Sequence, residues 1–180
     1  MTAYSTSVRA LHLVTNAAWF GGSLMGAVGL NPAAREGDTP RERSEVAETG
    51  WTKWGPVQGA AIGLHLLSGL AIVADNRQRT LNHRPTTIAV VLKTTLTGAA
   101  LAASGAAYLS GAKLGEANEQ AGENPVARRQ ARELSQRLRW LQWATPVTTG
   151  GILILDAYLG EQQRGVAGLL DRPGSLPWRR

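Results

Sequence analysis

Four ionisable residues stand alone in otherwise uncharged, apolar stretches of this chain: His12, His65, Lys93 and Asp156. Asn16, Thr94 and Thr95 add neutral polar groups to the same stretches. Imidazole nitrogens bind copper, iron and zinc, and histidine takes up and releases protons near neutral pH. A lysine and an aspartate in apolar surroundings form an ion pair or exchange a proton. Other chemistry is excluded by what is missing. The chain has no cysteine, so disulfides, thiolate metal sites, Fe–S clusters and cysteine nucleophiles are ruled out. It also lacks a G-x-G-x-x-G loop, a Walker A loop, a G-x-S-x-G elbow, an H-E-x-x-H pair and an EF-hand. Soluble-type catalysis on nucleotides or esters is therefore not expected, and no catalytic residue is assigned.

The elements that must position these residues follow from charge segregation. Mean hydropathy is only −0.14, but that average hides long uncharged runs. No charged residue occurs from Leu11 to Leu30 or from Pro56 to Ala74. Thr86 to Ala112 holds only Lys93, and Trp140 to Gly160 holds only Asp156. A helix needs about 20 apolar residues to cross the hydrocarbon core of a bilayer. The expected fold is therefore all-α: a single integral membrane domain, a four-helix bundle with spans at 8–30, 56–74, 86–110 and 140–160. A soluble bundle would alternate apolar and charged helix faces, and these runs do not. Small residues four apart occur in three spans, at Gly22/Gly26, Gly59/Gly63 and Ala102/Ala106. Such spacing lets helix backbones approach closely in lipid.

Helical extensions are expected on one side. Thr39 and Glu42 have capping-box spacing, Pro40 suits the first helical position, and Gly50 suits a stop. A surface helix at 40–49 follows. Asn124 and Pro125 open another at 125–139, whose apolar stripe runs through Ala127, Ala131, Leu134 and Leu138 into the last span.

Four spans place both termini on one side, here side A, and the extensions on side B. At about 1.5 Å per residue, His12, His65, Lys93 and Asp156 all fall in the half nearer side A, one from each span. Asn16, Thr94 and Thr95 lie at similar depth. Ionisable groups in lipid are costly and face the bundle interior, where they pair. Two uses of this polar layer stand side by side. One is structural: Lys93 pairs with Asp156, and His12 bonds a neighbouring carbonyl. The other is functional: His12 and His65 hold a metal or a haem iron, or His65, Lys93 and Asp156 relay protons.

The stretch "LHLVTNAAWFGGSLMGAVGLNPAAR" resembles the first span of a loose group of bacterial four-helix membrane proteins, including the CopD copper-resistance type. The positions that carry the likeness are His12, Trp19, Gly21, Gly22 and Pro32. The resemblance implies a multi-pass protein of the bacterial inner membrane and puts His12 forward as a copper ligand. The chain departs from that type in having four spans and no methionine-rich surroundings.

Net charge is +6. The basic run "ARRQARELSQRLRW" also contains glutamate and an apolar stripe, so it reads as a solvated helix face and nucleic-acid binding is not expected. Arg9 and the basic residues of the short linker after the second span favour a cytoplasmic side A. Trp51, Trp54, Trp140 and Trp143 fall at the side-B ends of spans, where an interfacial aromatic belt is expected. Three functions stay open. The first is a non-enzymatic packing or accessory protein, bound to itself or to a membrane-complex partner through its glycine-lined helices and the 125–139 helix. The second is a metal- or haem-binding redox protein using His12 and His65. The third is a proton-coupled transport component using Lys93 and Asp156.

Overall fold

A computed structural model describes residues 3–122 and 124–164, and every regular element among them is helical. Helix α1 spans Ala3–Met25 and passes without a break into a π-helical turn, Gly26–Leu30, and then into α2, Asn31–Arg35. After a short loop come α3 (Pro40–Asp75), α4 (Arg77–Asn82), α5 (Arg84–Glu119) and α6 (Pro125–Arg164). The "PGSLPWRR" tail and the side chains of Arg79, Arg164, Asp171, Arg172 and the C-terminal arginines lie outside the described residues.

Local chemistry sets several of these ends. Thr39 Oγ1 accepts the Glu42 N–H and the Glu42 carboxylate accepts the Thr39 N–H, so two orphan donors at the start of α3 are satisfied together. Asn124 Oδ1 accepts the N–H groups of Val126 and Ala127 and starts α6. Two expected boundaries are absent. Gly50 does not end a surface helix; α3 continues through it and through Pro56 to Asp75. The helix has no reason to stop, because Gly50 packs against the Leu30 side chain and keeps its helical backbone. Likewise α5 runs on past residue 110 to Glu119. At Asn31-Pro32 the chain stays helical, because Pro32 sits in the first turn of α2, where its missing N–H costs nothing.

Three helices are long and apolar enough to cross a membrane: Thr6–Arg35, Pro40–Asp75 and Arg84–Glu119. The fourth long helix, α6, is diluted by Thr145, Pro146, Thr148, Thr149 and Asp156. Two of these, Thr145 and Thr149, are buried inside the bundle. The long helices form a ring. α1 packs on α3 and on α6, α5 lies along α6, and α3 meets α5 over a shorter stretch.

The distribution of polarity is inverted relative to a water-soluble core. Buried side chains include His12, Asn16, His65, Thr145 and Thr149, while Leu67, Leu70, Val147 and Ile154 are exposed. Each helix turns one polar stripe inward. On α1 it is His12, Thr15, Asn16, Trp19 and Ser23; on α3 it is His65 and Ser68.

The small residues divide by contact. A side chain at Gly22 would run into the Trp54 ring and one at Gly26 into the Trp51 ring. Those indoles therefore pack against the glycine face of α1, rather than forming a purely interfacial belt. Their N–H groups bond inside the protein, Trp51 to Asn31 at 3.0 Å and Trp54 to Gln58 at 3.0 Å. Trp140, by contrast, is 82% exposed. Gly59 and Gly63 have open space beside them, so their spacing serves no helix contact within the chain.

Candidate functional site

The inward stripes of all four long helices meet toward side A. Lys93, from α5, donates to Asp156 Oδ1 of α6 and lies 2.6 Å from Nε2 of His12 on α1. Its ammonium therefore bridges a carboxylate and an imidazole, linking three helices at one atom. The Lys93 and Asp156 side chains keep only 16% and 10% of their surface exposed. Pairing of this kind is what makes charge tolerable in a low-dielectric interior.

The histidines come from α1 and α3 and are stacked. Their ring centroids are 4.0 Å apart and their planes 14° from parallel. His12 Nδ1 lies 3.0 Å from the His65 carbonyl and 3.0 Å from Ser68 Oγ. The Ser68 hydroxyl donates to Leu64 O at 2.6 Å, so its oxygen is left to accept. The network thereby assigns the His12 proton to Nδ1 and leaves Nε2 as the acceptor for Lys93. In return, His65 Nδ1 donates to the His12 carbonyl at 3.3 Å. Each ring thus holds the other helix's backbone. Trp19 closes the layer edge-on to His65, with ring centroids 6.1 Å apart. Gly69 makes room for the His12 ring, since an added Cβ would lie 3.1 Å from Cε1.

A second layer lies one turn deeper. Asn16 donates to the Thr149 carbonyl at 3.4 Å, and Trp19 Nε1 donates to Ser104 Oγ at 3.2 Å. Ser104 in turn bonds Thr145 at 3.3 Å. Among the described residues, two buried acceptors have no hydrogen-bond partner: Asn16 Oδ1 and Asp156 Oδ2. An unsatisfied acceptor of this kind costs about 1–3 kcal/mol, so each is poised to take a proton or a donor. Toward side A, a cleft of about 410 Å³ is lined by Arg84, Ile88, Leu92, Leu155 and Tyr158. Leu92 and Leu155 are the chain neighbours of Lys93 and Asp156.

The structure thus brings together His12, His65, Lys93 and Asp156, with Asn16 one turn away. It does not bring in Thr94 or Thr95. Both are exposed, and their hydroxyls bond back to Val90 and Val91 of their own helix at 2.9 and 3.0 Å. Depth alone suggested them, but at 100° per residue they turn away from the face that carries Lys93. Ser68, Trp19, Thr149 and Ser104 belong to the site and were not singled out for it. Their signal was helical spacing: Ser68 lies three residues from His65, Trp19 seven from His12, Thr149 seven from Asp156 and Ser104 eleven from Lys93.

The two histidines, put forward for a metal or a haem iron, face each other ring to ring. Their in-plane lone pairs lie in nearly parallel planes and do not converge, and His12 Nε2 faces the Lys93 ammonium. Among the described residues, no three His, Cys, Asp or Glu side chains gather as a metal would require. Comparisons with known proteins add no identity: no family model, curated protein or solved structure matches the chain.

Proposed function

We propose that the chain is a four-span, non-enzymatic integral membrane protein whose interior handles protons as part of a proton-coupled membrane process. The apolar exterior and polar interior support insertion of all four long helices. Arg9 on α1, with Arg77, Arg79 and Arg84 around the connection from α3 to α5, favours a cytoplasmic side A of a bacterial inner membrane.

The observation that carries the proton reading is Lys93 held between Asp156 and His12. A proton arriving from side A meets the unpartnered Asp156 Oδ2. Lys93 then passes a proton to His12 Nε2 while regaining one from Asp156. The His12 Nδ1–H stays on the His65 carbonyl throughout, so the imidazolium that forms is already hydrogen-bonded. The Asp156 carboxyl must turn to present its new Oδ2 proton to Lys93, which otherwise holds Oδ1. The exchange returns Asp156 to its carboxylate and Lys93 to its ammonium, and leaves the charge of the incoming proton on His12 of α1.

The test is proton flux into proteoliposomes carrying an internal pH dye, driven by a potassium diffusion potential. Wild-type protein is expected to conduct, and Lys93→Met, Asp156→Asn and His12→Gln each to reduce the flux at least tenfold. Flux equal to that of empty vesicles, or unchanged in His12→Gln, overturns the reading. A second reading rests on a separate observation, the open space beside Gly59, Gly63, Gly98 and Gly105. Those faces admit another helix closely, as an accessory subunit packing with itself or a membrane partner would need.

A further inference from the structure

On side B, α6 carries a charged face that neither the bundle nor the polar layer uses. Ala127 and Ala131 are buried, which fixes the inward side of residues 125–139. Away from them, Arg128, Arg132, Ser135 and Arg139 follow at steps of four, three and four residues, and all four are exposed. At 100° per residue they form one stripe parallel to the helix axis. Trp143, four residues on and 43% exposed, stands at its foot. The segment 125–139 holds five arginines against one glutamate. That glutamate, Glu133, is engaged by Arg129, off the stripe.

We propose that this stripe is a docking surface for an acidic helical segment of a partner protein on side B. The proposal deepens the membrane reading above and takes from it only the upright position of α6. Three considerations choose the occupant. The first is reach. Arg128 to Arg139 is eleven residues, about 16 Å along the helix. Screening at physiological salt acts over about 8 Å, so anionic headgroups engage the foot of the stripe and leave Arg128 and Arg132 unanswered. A vertical acidic surface matches all three arginines.

The second is sign. A second copy offers no strongly acidic face among the described residues: at the end of its α5 only Glu116 and Glu119 stand beside Lys113. Its α3 extension, 40–53, balances Arg41, Arg43 and Lys53 with Glu42, Glu45 and Glu48, and its own α6 repeats the positive stripe. The third is rigidity. The extension is preformed: α6 is one helix from Pro125 into the span, Ala117 of α5 is buried, and Asn118 of α5 bonds Ser44 of α3 at 2.8 Å. Docking therefore orders little of this chain.

The experiment uses the full chain in nanodiscs of zwitterionic lipid, an assembly that itself requires membrane insertion. The probe is a fluorescein-labelled helical peptide with glutamates at the same four, three, four spacing. A scrambled peptide of equal composition is the comparison. Anisotropy should show salt-sensitive binding that favours the spaced peptide. The variant Arg128→Gln/Arg132→Gln/Arg139→Gln should weaken it about tenfold, whereas Arg41→Gln/Arg43→Gln, which also removes exposed charge on side B, should not. Equal binding of the scrambled peptide, or equal losses in the two variants, reduces the effect to net charge and overturns the proposal. So does a triple variant that binds the peptide normally but loses retention on anionic vesicles, which would assign the stripe to lipid.

Discussion

At the residue scale, the molecule turns on a lysine with two partners. A purely structural ion pair needs only Lys93 and Asp156; contact with His12 Nε2 is superfluous for it. The two roles separate in a double-mutant cycle. Lys93→Met leaves Asp156 buried and unpaired and should cost about 3–5 kcal/mol, the usual penalty for breaking a buried pair from one side. Asp156→Asn in the Lys93→Met background should recover most of that loss, as thermal unfolding in mild detergent would show. Proton flux should not recover with stability, and a double variant that regained both would make the pair a structural device only. The ionisable members of this site were legible in the sequence, because each is the lone charge or imidazole in an apolar run. Their neutral supports were not. Serine and threonine are common in membrane helices, and nothing in one strand of sequence separates Ser68, which holds His12, from Thr94, which faces outward.

At the scale of the helices, the small-residue motifs were read correctly as to place but not as to use. Spacing alone cannot tell which neighbour a glycine meets. The structure separates them: Gly22 and Gly26 are filled by Trp54 and Trp51, while Gly59 and Gly63 face open space. Gly22→Val and Gly26→Val should therefore each destabilise the bundle by about 1–3 kcal/mol through overpacking. Gly59→Val should change detergent stability by less than about 0.5 kcal/mol, as expected for a site that meets nothing. Equal losses at all three positions would place the indoles elsewhere. The uninterrupted course of α3 has a tertiary cause. Gly50 and Pro56 are breakers in isolated helices, but tertiary contact against α1 outweighs a propensity of roughly 1 kcal/mol for glycine.

At the scale of the whole molecule, inverted polarity is the property that matters. Leucine and valine cover the outside, and imidazole, amide and hydroxyl groups fill the inside. Charge segregation made this architecture readable before any coordinate, and the fourth helix shows the limit of that reading. Its polar residues face inward, so its average apolarity understates how it is placed. Topology is testable without background, because the chain has no cysteine to remove. Single cysteines at Ser135 and at Thr80 should react with an impermeant maleimide from opposite sides of intact cells, Ser135→Cys from outside if side A is cytoplasmic. Labelling of both from the same side would break the four-span arrangement.

The π-helical turn at Gly26–Leu30 gives this architecture a phase. In it the Asn31 N–H reaches back five residues to Gly26 O rather than four, so the turn holds one residue more than an α-helix would. That extra residue shifts everything beyond it by about 100° relative to the stripe of His12, Asn16 and Trp19. It is what brings Asn31 round to Trp51 and, at 3.2 Å, to Gln142. In the language of insertions and deletions, the first helix is not a free ruler. Losing a single residue from 26–30 would leave the polar layer on side A intact and turn the lock on side B away from its partners. Length in this segment is therefore constrained more tightly than the identity of any one residue within it.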